Sequence, residues 1–316
     1  MVRLGVYRGL IALLVGVLCL PLFAGLAGAV GASAAPATTI RDPDLFIYIP
    51  ESARQSQPAQ ILVAMHGMGG DGANFCQNLL GAADRNGWIV IAPTFKYQDY
   101  KNPDLVLQDD LAFLPRLEEM IDSVAGRADI ATREKVLLYG YSRGGQAVHR
   151  FATFYPERTL AVVALSSGAY TLPLDTMIVN GRSQQLPLPY GVADLSQQLG
   201  RGFNYAAFKG VPIRVAVGGR DTNPNDVARA WDPYSGKTRI DRARAYTVAL
   251  QNIGADASLA VYPDADHGST PQMVAESMSF LENMVGRNAA RYGFGPSIGA
   301  STYGALIAGA TRASAR

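Results

Sequence analysis

The chain has 316 residues, of which 48% are hydrophobic and 17% charged, enough to bury one sizeable core in a single α/β domain. Two of its basic residues, Arg3 and Arg8, stand at the extreme N-terminus. Without them the Lys+Arg count falls from 28 to 26 and equals the 26 Asp+Glu. The rest of the chain has no net charge, so its charge gives no reason to expect nucleic acid or an anionic surface as a partner.

Residues 1–34 have the form of an export signal. Two arginines are followed by an uncharged apolar run, Leu10 to Leu20, and by the small-x-small cleavage site Ala32-Ser33-Ala34. An uncleaved anchor is the alternative, because the apolar stretch 9–31 is long enough to span a bilayer. The small residues near Ala34 favour cleavage. Both interpretations predict an extracytoplasmic domain (secreted, periplasmic or cell-surface), because the two arginines stay on the cytoplasmic side of the membrane. Neither interpretation predicts any other membrane contact.

Cys76 would be the single cysteine of the exported domain, because Cys19 lies in the apolar run. One thiol cannot form an internal disulfide, so a large core has to stabilise the fold. We interpret Cys76 as a packed residue of the first long helix rather than as a nucleophile.

Apolar, β-branched runs alternate along the chain with segments of helical pattern. Strands are predicted at 45–49, 60–65, 88–92, 135–139, 160–165, 213–217 and 259–262. Helices are predicted near 74–86, 104–124, 146–152, 242–252 and 271–285. This alternation predicts a doubly wound, mostly parallel sheet.

Four boundaries follow from this pattern. Residues 35–43 are predicted to be a linker, and 44–287 the folded domain. The segment 170–210 is too long for a simple crossover, and we expect it to be a lid or substrate loop over the carboxyl edge of the sheet, with a surface excursion as the alternative. The Ala, Gly and Ser-rich segment 288–316 is predicted to be a poorly ordered tail.

The motif Gly140-Tyr141-Ser142-Arg143-Gly144-Gly145 lies between a predicted strand, 135–139, and a predicted helix. A serine on a tight strand-to-helix turn has its hydroxyl at the carboxyl edge of the sheet, and small neighbours let the backbone approach the helix. We interpret Ser142 as a nucleophile, the alternative being an ordinary turn.

A serine nucleophile needs a base within hydrogen-bond reach, and the chain has three histidines. His66 lies in the glycine-rich run 66–72, and His149 is predicted to lie on the helix after Ser142 and to point away from it. His267 follows the last strand, on a loop that can fold back toward Ser142. Elimination therefore favours His267 as the base, the alternative being a loop histidine in solvent.

The base needs a carboxylate to fix its tautomer. Asp221 follows the strand 213–217, so it emerges at the same edge as Ser142 and His267. A strand end positions a side chain better than a flexible loop does, which favours Asp221. The alternatives are Asp226, Asp264 and Asp266.

The oxyanion of acyl transfer needs two N–H donors that already point at it. The backbone N–H of Arg143 is one candidate, because it follows the nucleophile at the start of the helix. The backbone N–H of Met68 is the other, because the glycines around it let the turn after the strand 60–65 direct its N–H groups inward. A turn without a catalytic part is the alternative. The run lacks the spacing of a phosphate-binding loop.

Four segments of the chain together resemble the α/β-hydrolase superfamily, and in particular the polyhydroxybutyrate depolymerase-like and phospholipase/carboxylesterase/thioesterase esterases. They occur in the chain order expected for nucleophile, acid and base. The segments are His66-Gly67-Met68-Gly69-Gly70, Gly140-Tyr141-Ser142-Arg143-Gly144-Gly145, Gly219-Arg220-Asp221 and Asp266-His267-Gly268.

The resemblance covers about residues 44–285 and implies an α/β-hydrolase fold. The lid-like insertion is expected after the sixth strand. It implies Ser142 as nucleophile, Asp221 as acid and His267 as base. The oxyanion donors would be Met68 and Arg143. The supporting motif residues would be His66, Gly67, Gly140 and Gly144. The chain lacks the disulfide cysteines and the polymer-binding domain of secreted depolymerases.

These observations predict a secreted serine hydrolase that cleaves a small-molecule or lipid-like carboxylic ester through an acyl-enzyme. The apolar part of 170–210 suggests a small to medium acyl or aryl group. Acyl transfer or peptide hydrolysis by the same triad is one alternative, and a non-catalytic binding protein on this fold is another. We expect no metal and no organic cofactor, because no histidine–carboxylate cluster remains once the triad is assigned.

Overall fold

The computed structural model describes residues 36–292, so the predicted export signal, 1–34, and residues 293–316 of the predicted tail lie outside it. The strands of this part of the chain are β1 Thr38–Arg41, β2 Leu45–Ile49, β3 Gln60–Met65, β4 Trp88–Pro93, β5 Val136–Tyr141, β6 Thr159–Leu165, β7 Thr176–Val179, β8 Arg182–Gln185, β9 Ile213–Gly218 and β10 Ala257–Tyr262. Its α-helices are α1 Glu51–Gln55, α2 Gly72–Phe75, α3 Leu80–Asn86, α4 Pro103–Ala128, α5 Arg143–Phe154, α6 Leu195–Leu199, α7 Tyr205–Lys209, α8 Asp232–Ser235, α9 Arg239–Asn252 and α10 Pro271–Tyr292.

Eight strands form the central sheet in the order β1-β2-β4-β3-β5-β6-β9-β10. Strand β2 runs antiparallel to β1 and β4, and all other neighbours are parallel. Every residue of β3, β4 and β6 is buried, which explains why these strands read as continuous apolar runs. The doubly wound, mostly parallel sheet is confirmed.

Helices cover both faces of the sheet. On one face α4, α5 and α9 contribute to a large apolar cluster, with residues such as Leu114, Val148, Phe151, Tyr246 and Leu250. On the other face α3 and α10 contribute to a second cluster, with Ala83, Met278 and Leu281. The two layers bury the apolar surface of the strands, and residues 36–292 contain no disulfide. Cys76 is packed in the second layer, as predicted, but it lies in the 3₁₀ turn Cys76–Leu79 rather than on a long helix.

Local sequence sets the first turns of two helices that later contribute to the site. At the start of α4 the side chain of Asn102 accepts the N–H of Asp104 at 2.9 Å, and Pro103 occupies the first turn. At the start of α9 Thr238 and Asp241 form a capping box. These caps determine where α4 and α9 begin, and therefore which of their charged residues face the interior.

The order of strands creates a switch point beside β3. The chain passes from β3 to β4 on one side and returns through α4 to β5 on the other. Helices therefore leave the carboxyl ends of β3 and β5 toward opposite faces, which opens a crevice there. Met65 and Gly140 are paired across these two ends, so the loop after β3 and the turn after β5 meet.

Three of the predicted boundaries need correction. The predicted linker 35–43 contains β1, whose Thr39 pairs with Tyr48 of β2. The predicted helix 74–86 is divided into α2, a 3₁₀ turn at Cys76–Leu79, and α3. Helix α10 continues to Tyr292, so the first residues assigned to the tail are helical.

An insertion does follow the sixth strand, but its position differs from that of the predicted lid. The backbone N–H of Thr171 donates to Nε2 of His149 on α5, and Arg201 donates to the carbonyl oxygen of Phe154 at the far end of the same helix. Leu172 and Leu186 are buried in the first apolar cluster. The segment therefore runs beside α5, down the face of the sheet, because its apolar residues pack into the core.

No helix within residues 36–292 is long and apolar enough to cross a membrane.

Candidate active site

Ser142 lies on the sharp turn between β5 and α5. Its φ of 55° and ψ of −115° fall in a region that residues with a side chain rarely adopt. The turn is held from both sides, because the N–H of Ser142 donates to the carbonyl of Leu165 at 2.8 Å and its carbonyl accepts the N–H of Gln146 at 3.1 Å. The serine side chain is thereby presented above the carboxyl edge of the sheet.

The glycines of this motif are required by close backbone contacts. A Cβ on Gly144 would lie 2.0 Å from the carbonyl oxygen of Met65, and a Cβ on Gly140 would lie 2.3 Å from the carbonyl oxygen of Gly144. Both distances are far below van der Waals contact, so side chains at 140 and 144 would push α5 away from β3 and β5. The glycines therefore set the position of the Ser142 turn.

The structure brings Ser142, His267 and Asp221 into one chain of hydrogen bonds. Nε2 of His267 lies 3.1 Å from Oγ of Ser142, and Nδ1 lies 2.8 Å from Oδ2 of Asp221. A carboxylate only accepts, so the proton is on Nδ1 and Nε2 is free to accept from the serine hydroxyl. Asp221 follows β9 and His267 follows β10, which are adjacent strands in register. Asp221 is 2% exposed, whereas the imidazole is partly open to solvent.

The three other candidate aspartates make different contacts. Asp264 pairs with Arg220 on the surface, and Asp266 accepts the backbone N–H of His267 through Oδ1 at 2.7 Å. Asp226 contributes its carbonyl oxygen to Arg239. Among these aspartates, Asp221 is the one that contacts the imidazole.

The two predicted oxyanion donors lie beside the serine. Met68 and Arg143 line the same cavity as Ser142 and His267. The N–H of Gly70 donates to the carbonyl of Gly67 at 3.1 Å, which closes a turn around Met68 and leaves the Met68 amide outside that bond. The amide of Arg143 occupies the first position of α5, where a helix offers no internal acceptor. The positions of both residues are compatible with the predicted role as oxyanion donors.

The remaining histidines are buried and neutral. Nε2 of His66 accepts the backbone N–H of Phe95 at 3.0 Å, so its Nδ1 carries the proton and donates to the carbonyl of Gly67 at 2.6 Å. Burial lowers the pKa of His66. His149 accepts from Thr171 in the same way, and burial followed by the charge of Arg150 lowers its pKa far below the ordinary value. His66 thus supports the loop of Met68.

Comparison with solved structures shows which known architectures the fold is similar to. Poly(aspartic acid) hydrolase-1 from Sphingomonas sp. KT-1 matches with a TM-score of 0.57 and 20% identity, over 78% of this chain and 97% of that one. TT1662 from Thermus thermophilus matches with a TM-score of 0.52 and 22% identity, over 79% and 98%. Esterase PE8 matches with a TM-score of 0.51 and 14% identity, over 79% and 100%.

The chain has an α/β-hydrolase fold. No protein-family model matches it, and no curated protein matches its sequence.

In this α/β-hydrolase fold, Arg239 is a site residue that the sequence analysis missed. It begins α9, is 4% exposed, and donates through Nη1 to Oδ1 of Asp221 at 2.7 Å. Its Nη2 donates to the carbonyl of Asp226 at 2.8 Å. The carboxylate of Asp221 therefore lies between a guanidinium and the imidazole of His267, with one oxygen for each.

A buried ionic cluster lies behind the nucleophile turn and was also missed. The side chain of Arg143 donates to Oδ1 of Asp110 on α4 at 2.8 Å, and Nε of Arg150 donates to Oδ2 of the same carboxylate. Asp109 lies 3.6 Å from Arg143 and also accepts the backbone N–H of Gln98. Burial lowers the pKa of Arg150 to about 10, so its guanidinium remains charged at neutral pH. The cluster joins α4 to the first turns of α5.

The cavity next to Ser142 has a volume of about 180 Å³. None of its lining residues belongs to the insertion 170–210, so the predicted lid does not form its wall. The lining residues are Met68, Tyr100, Ser142, Arg143, Gln146, Gly168, Asp226, Arg239 and His267.

The thiol of Cys76 and the capacity to bind a metal ion also bear on the chemistry. Burial raises the pKa of Cys76 to about 12, which disfavours the thiolate form that acts as a nucleophile. Within residues 36–292 no group of three or more His, Cys, Asp and Glu residues could hold a metal ion.

Proposed function

We propose that this protein is a serine hydrolase that cleaves carboxylic esters through an acyl-enzyme on Ser142. The observation that carries the proposal is the continuous hydrogen-bonded chain from Ser142 through His267 to the buried Asp221. Such a chain makes an otherwise weak serine nucleophile reactive at neutral pH.

In the acylation step, Oγ of Ser142 attacks the ester carbonyl carbon and its proton passes to Nε2 of His267. The carbonyl oxygen becomes an oxyanion, which we expect the N–H groups of Met68 and Arg143 to bind. The imidazolium is stabilised by Asp221, whose Oδ2 lies against Nδ1. As the bond to the leaving oxygen breaks, Nε2 returns its proton to that oxygen, and the alcohol departs.

In the deacylation step, a water molecule takes the place of the alcohol. His267 removes a proton from the water, whose oxygen attacks the acyl carbon and forms a second oxyanion in the same place. The bond to Oγ of Ser142 then breaks, the serine regains its proton from Nε2, and the carboxylic acid leaves. The exposed side of the imidazole gives this water access.

Export of the enzyme is part of the proposal. The two arginines, the apolar run and the Ala32-Ser33-Ala34 site support an extracytoplasmic location. The absence of an internal disulfide is compatible with that location, because two apolar layers stabilise the sheet.

A series of p-nitrophenyl esters of rising acyl length tests the activity. We expect the highest kcat/KM for short acyl groups, because the cavity is small. The variant Ser142→Ala should lower kcat by about a thousandfold or more. The matched control Ser196→Ala changes an exposed serine of α6 and should leave kcat unchanged. Equal turnover by wild type and Ser142→Ala would contradict the proposal.

A further inference from the structure

Gln146 lines the same cavity as Ser142 and carries a side-chain amide group. This residue is 2% exposed, and Nη2 of Arg150 donates to its Oε1 at 3.0 Å. A guanidinium has no acceptor, so the oxygen of the amide has to face Arg150. The NH₂ end therefore faces the other way, toward the cavity that Gln146 lines.

Arg239 lines the same cavity and carries a second donor without a partner among residues 36–292. Two of its nitrogens are occupied, Nη1 by Asp221 and Nη2 by the carbonyl of Asp226. Its Nε is buried and has no hydrogen-bond partner within the described part of the chain. A guanidinium stays protonated, and a buried N–H without an acceptor is unfavourable.

The two donors lie beside the same glycine. A Cβ placed on Gly168 would lie 3.4 Å from Nε2 of Gln146, 3.7 Å from Cγ1 of Val227 and 3.9 Å from Nε of Arg239. Because glycine has no side chain, an atom of another molecule can approach the space next to both nitrogens. A carbonyl oxygen fits best, because it has two lone pairs for two N–H donors and no proton of its own.

The local charges favour an uncharged acceptor. The charge of Arg239 is already matched by Asp221, and the exposed side chain of Asp226 adds a negative charge at the rim. A carboxylate at this point would lie near two others without a free cation to balance it. The small volume of the cavity also excludes a long acyl chain.

We propose that Gln146 and Arg239 form a subsite for a second, uncharged carbonyl oxygen in the acyl group of the substrate, as in a short oxoacyl or acylamino ester. The inference rests on the proposed function, because it assumes that the ester carbon is held at Ser142. It names the acyl class that the cavity selects.

Matched pairs of p-nitrophenyl esters test the subsite. The pairs are 4-oxopentanoate against pentanoate and 5-oxohexanoate against hexanoate, which differ by one C=O in place of one CH₂. Each kcat/KM is divided by the rate of hydroxide-catalysed hydrolysis, which removes intrinsic reactivity. We expect wild type to prefer the oxo ester in at least one pair by about tenfold.

Gln146→Glu is the matching variant, because it keeps the oxygen that Arg150 donates to and replaces the cavity-facing NH₂ by an oxygen. The preference should fall to about one. The control Gln197→Glu makes the same change on an exposed residue of α6 and should keep the preference. If Gln146→Glu does not fold, Arg239→Lys carries the same comparison, because lysine can reach Asp221 but has no Nε donor.

If wild type shows a ratio of corrected kcat/KM values (oxo ester over matched ester) near one in both pairs, the inference is overturned. A preference that is unchanged in both variants would also overturn it, as would a stronger preference for the half-ester of glutarate, corrected for its spontaneous hydrolysis. Failure of the proposed function has a different signature. In that case folded wild type would hydrolyse none of the esters and would not react with a fluorophosphonate probe.

Discussion

Arg239 and Asp221 form a buried ion pair in which Nη1 of the arginine lies 2.7 Å from Oδ1 of the carboxylate. Because Oδ2 of the same carboxylate contacts His267, Arg239 fixes the rotation of the group that orients the base. Removing one member of a buried pair leaves the other charge without compensation, which is more costly than the net stabilisation of the pair itself.

Arg239→Leu is therefore expected to lower the free energy of unfolding by about 3 kcal/mol, measured by urea denaturation. The matched control is Arg220→Leu, because Arg220 pairs with Asp264 on the exposed surface. That pair should contribute less than about 1 kcal/mol. Equal losses in the two variants would show that the Asp221 pair has no special role.

The ionic cluster behind Ser142 gives a second prediction. Asp110 is 1% exposed and accepts from both Arg143 and Arg150. Asp110→Asn removes the charge that balances two buried guanidinium groups, and we expect a loss of about 3 kcal/mol in the free energy of unfolding. Asp122→Asn is the control, because Asp122 pairs with Arg158 at the surface and its loss should cost less than about 1 kcal/mol. A mild effect of Asp110→Asn would mean that Asp109 alone balances the cluster.

A glycine pair tests the geometry of the nucleophile turn. In Gly144→Ala the new methyl group would overlap the carbonyl of Met65, so soluble, folded protein should be strongly reduced. Gly126→Ala is the matched change, because a Cβ on Gly126 of α4 meets no atom within 4 Å. It should raise the free energy of unfolding by about 0.5–1 kcal/mol, since alanine is the better helix former. Thermal unfolding followed by circular dichroism distinguishes these outcomes, and a stable Gly144→Ala would contradict the turn described above.

The buried histidines give the pH dependence of stability its sign. His149 and His66 both have a lowered pKa in the folded state, mainly because of burial. Below about pH 6.5 the unfolded chain therefore binds more protons than the folded protein does. The contribution of these histidines to the free energy of unfolding is fully present above that pH and decreases as the pH falls toward the folded pKa.

His149→Gln removes one of these groups while an amide can replace both of its hydrogen bonds. Between about pH 7.5 and about pH 5.5, the variant should lose about 1.4 kcal/mol less of its unfolding free energy than wild type does. Urea denaturation at the two pH values measures the difference. Parallel losses in wild type and variant would show that His149 does not titrate in this range.

The sequence predicts what lies at strand ends better than what lies on helices. Ser142 and His267 follow apolar runs that can be recognised by themselves, and the order of strands brings them together. Arg239 gives no such signal, because α9 carries Arg242 and Arg244 in the same short stretch, and a tertiary partner decides which one is buried at the site. In the sequence, Asp110 cannot be distinguished from the other charged residues that a solvent-exposed helix would carry.

Segments that depend on distant partners were predicted least well. Strand β1 is four residues long and largely exposed, so no apolar pattern distinguishes it from a linker, and its pairing with β2 is what makes it a strand. Leu172 and Leu186 indicate that the insertion is partly buried, but hydrophobicity is the same for a lid and for a segment packed beside α5. The direction of the chain after β6 therefore lies beyond the reach of the local sequence.

The central claim is that Ser142 is a nucleophile activated by His267, and its most direct test is covalent labelling with a fluorophosphonate probe followed by peptide mass spectrometry. We expect one label per wild-type molecule, on the peptide that contains Ser142. The label should be absent from Ser142→Ala and should form much more slowly in His267→Gln. Folded wild type that takes up no label, or Ser142→Ala that is labelled as fast as wild type, would contradict the claim.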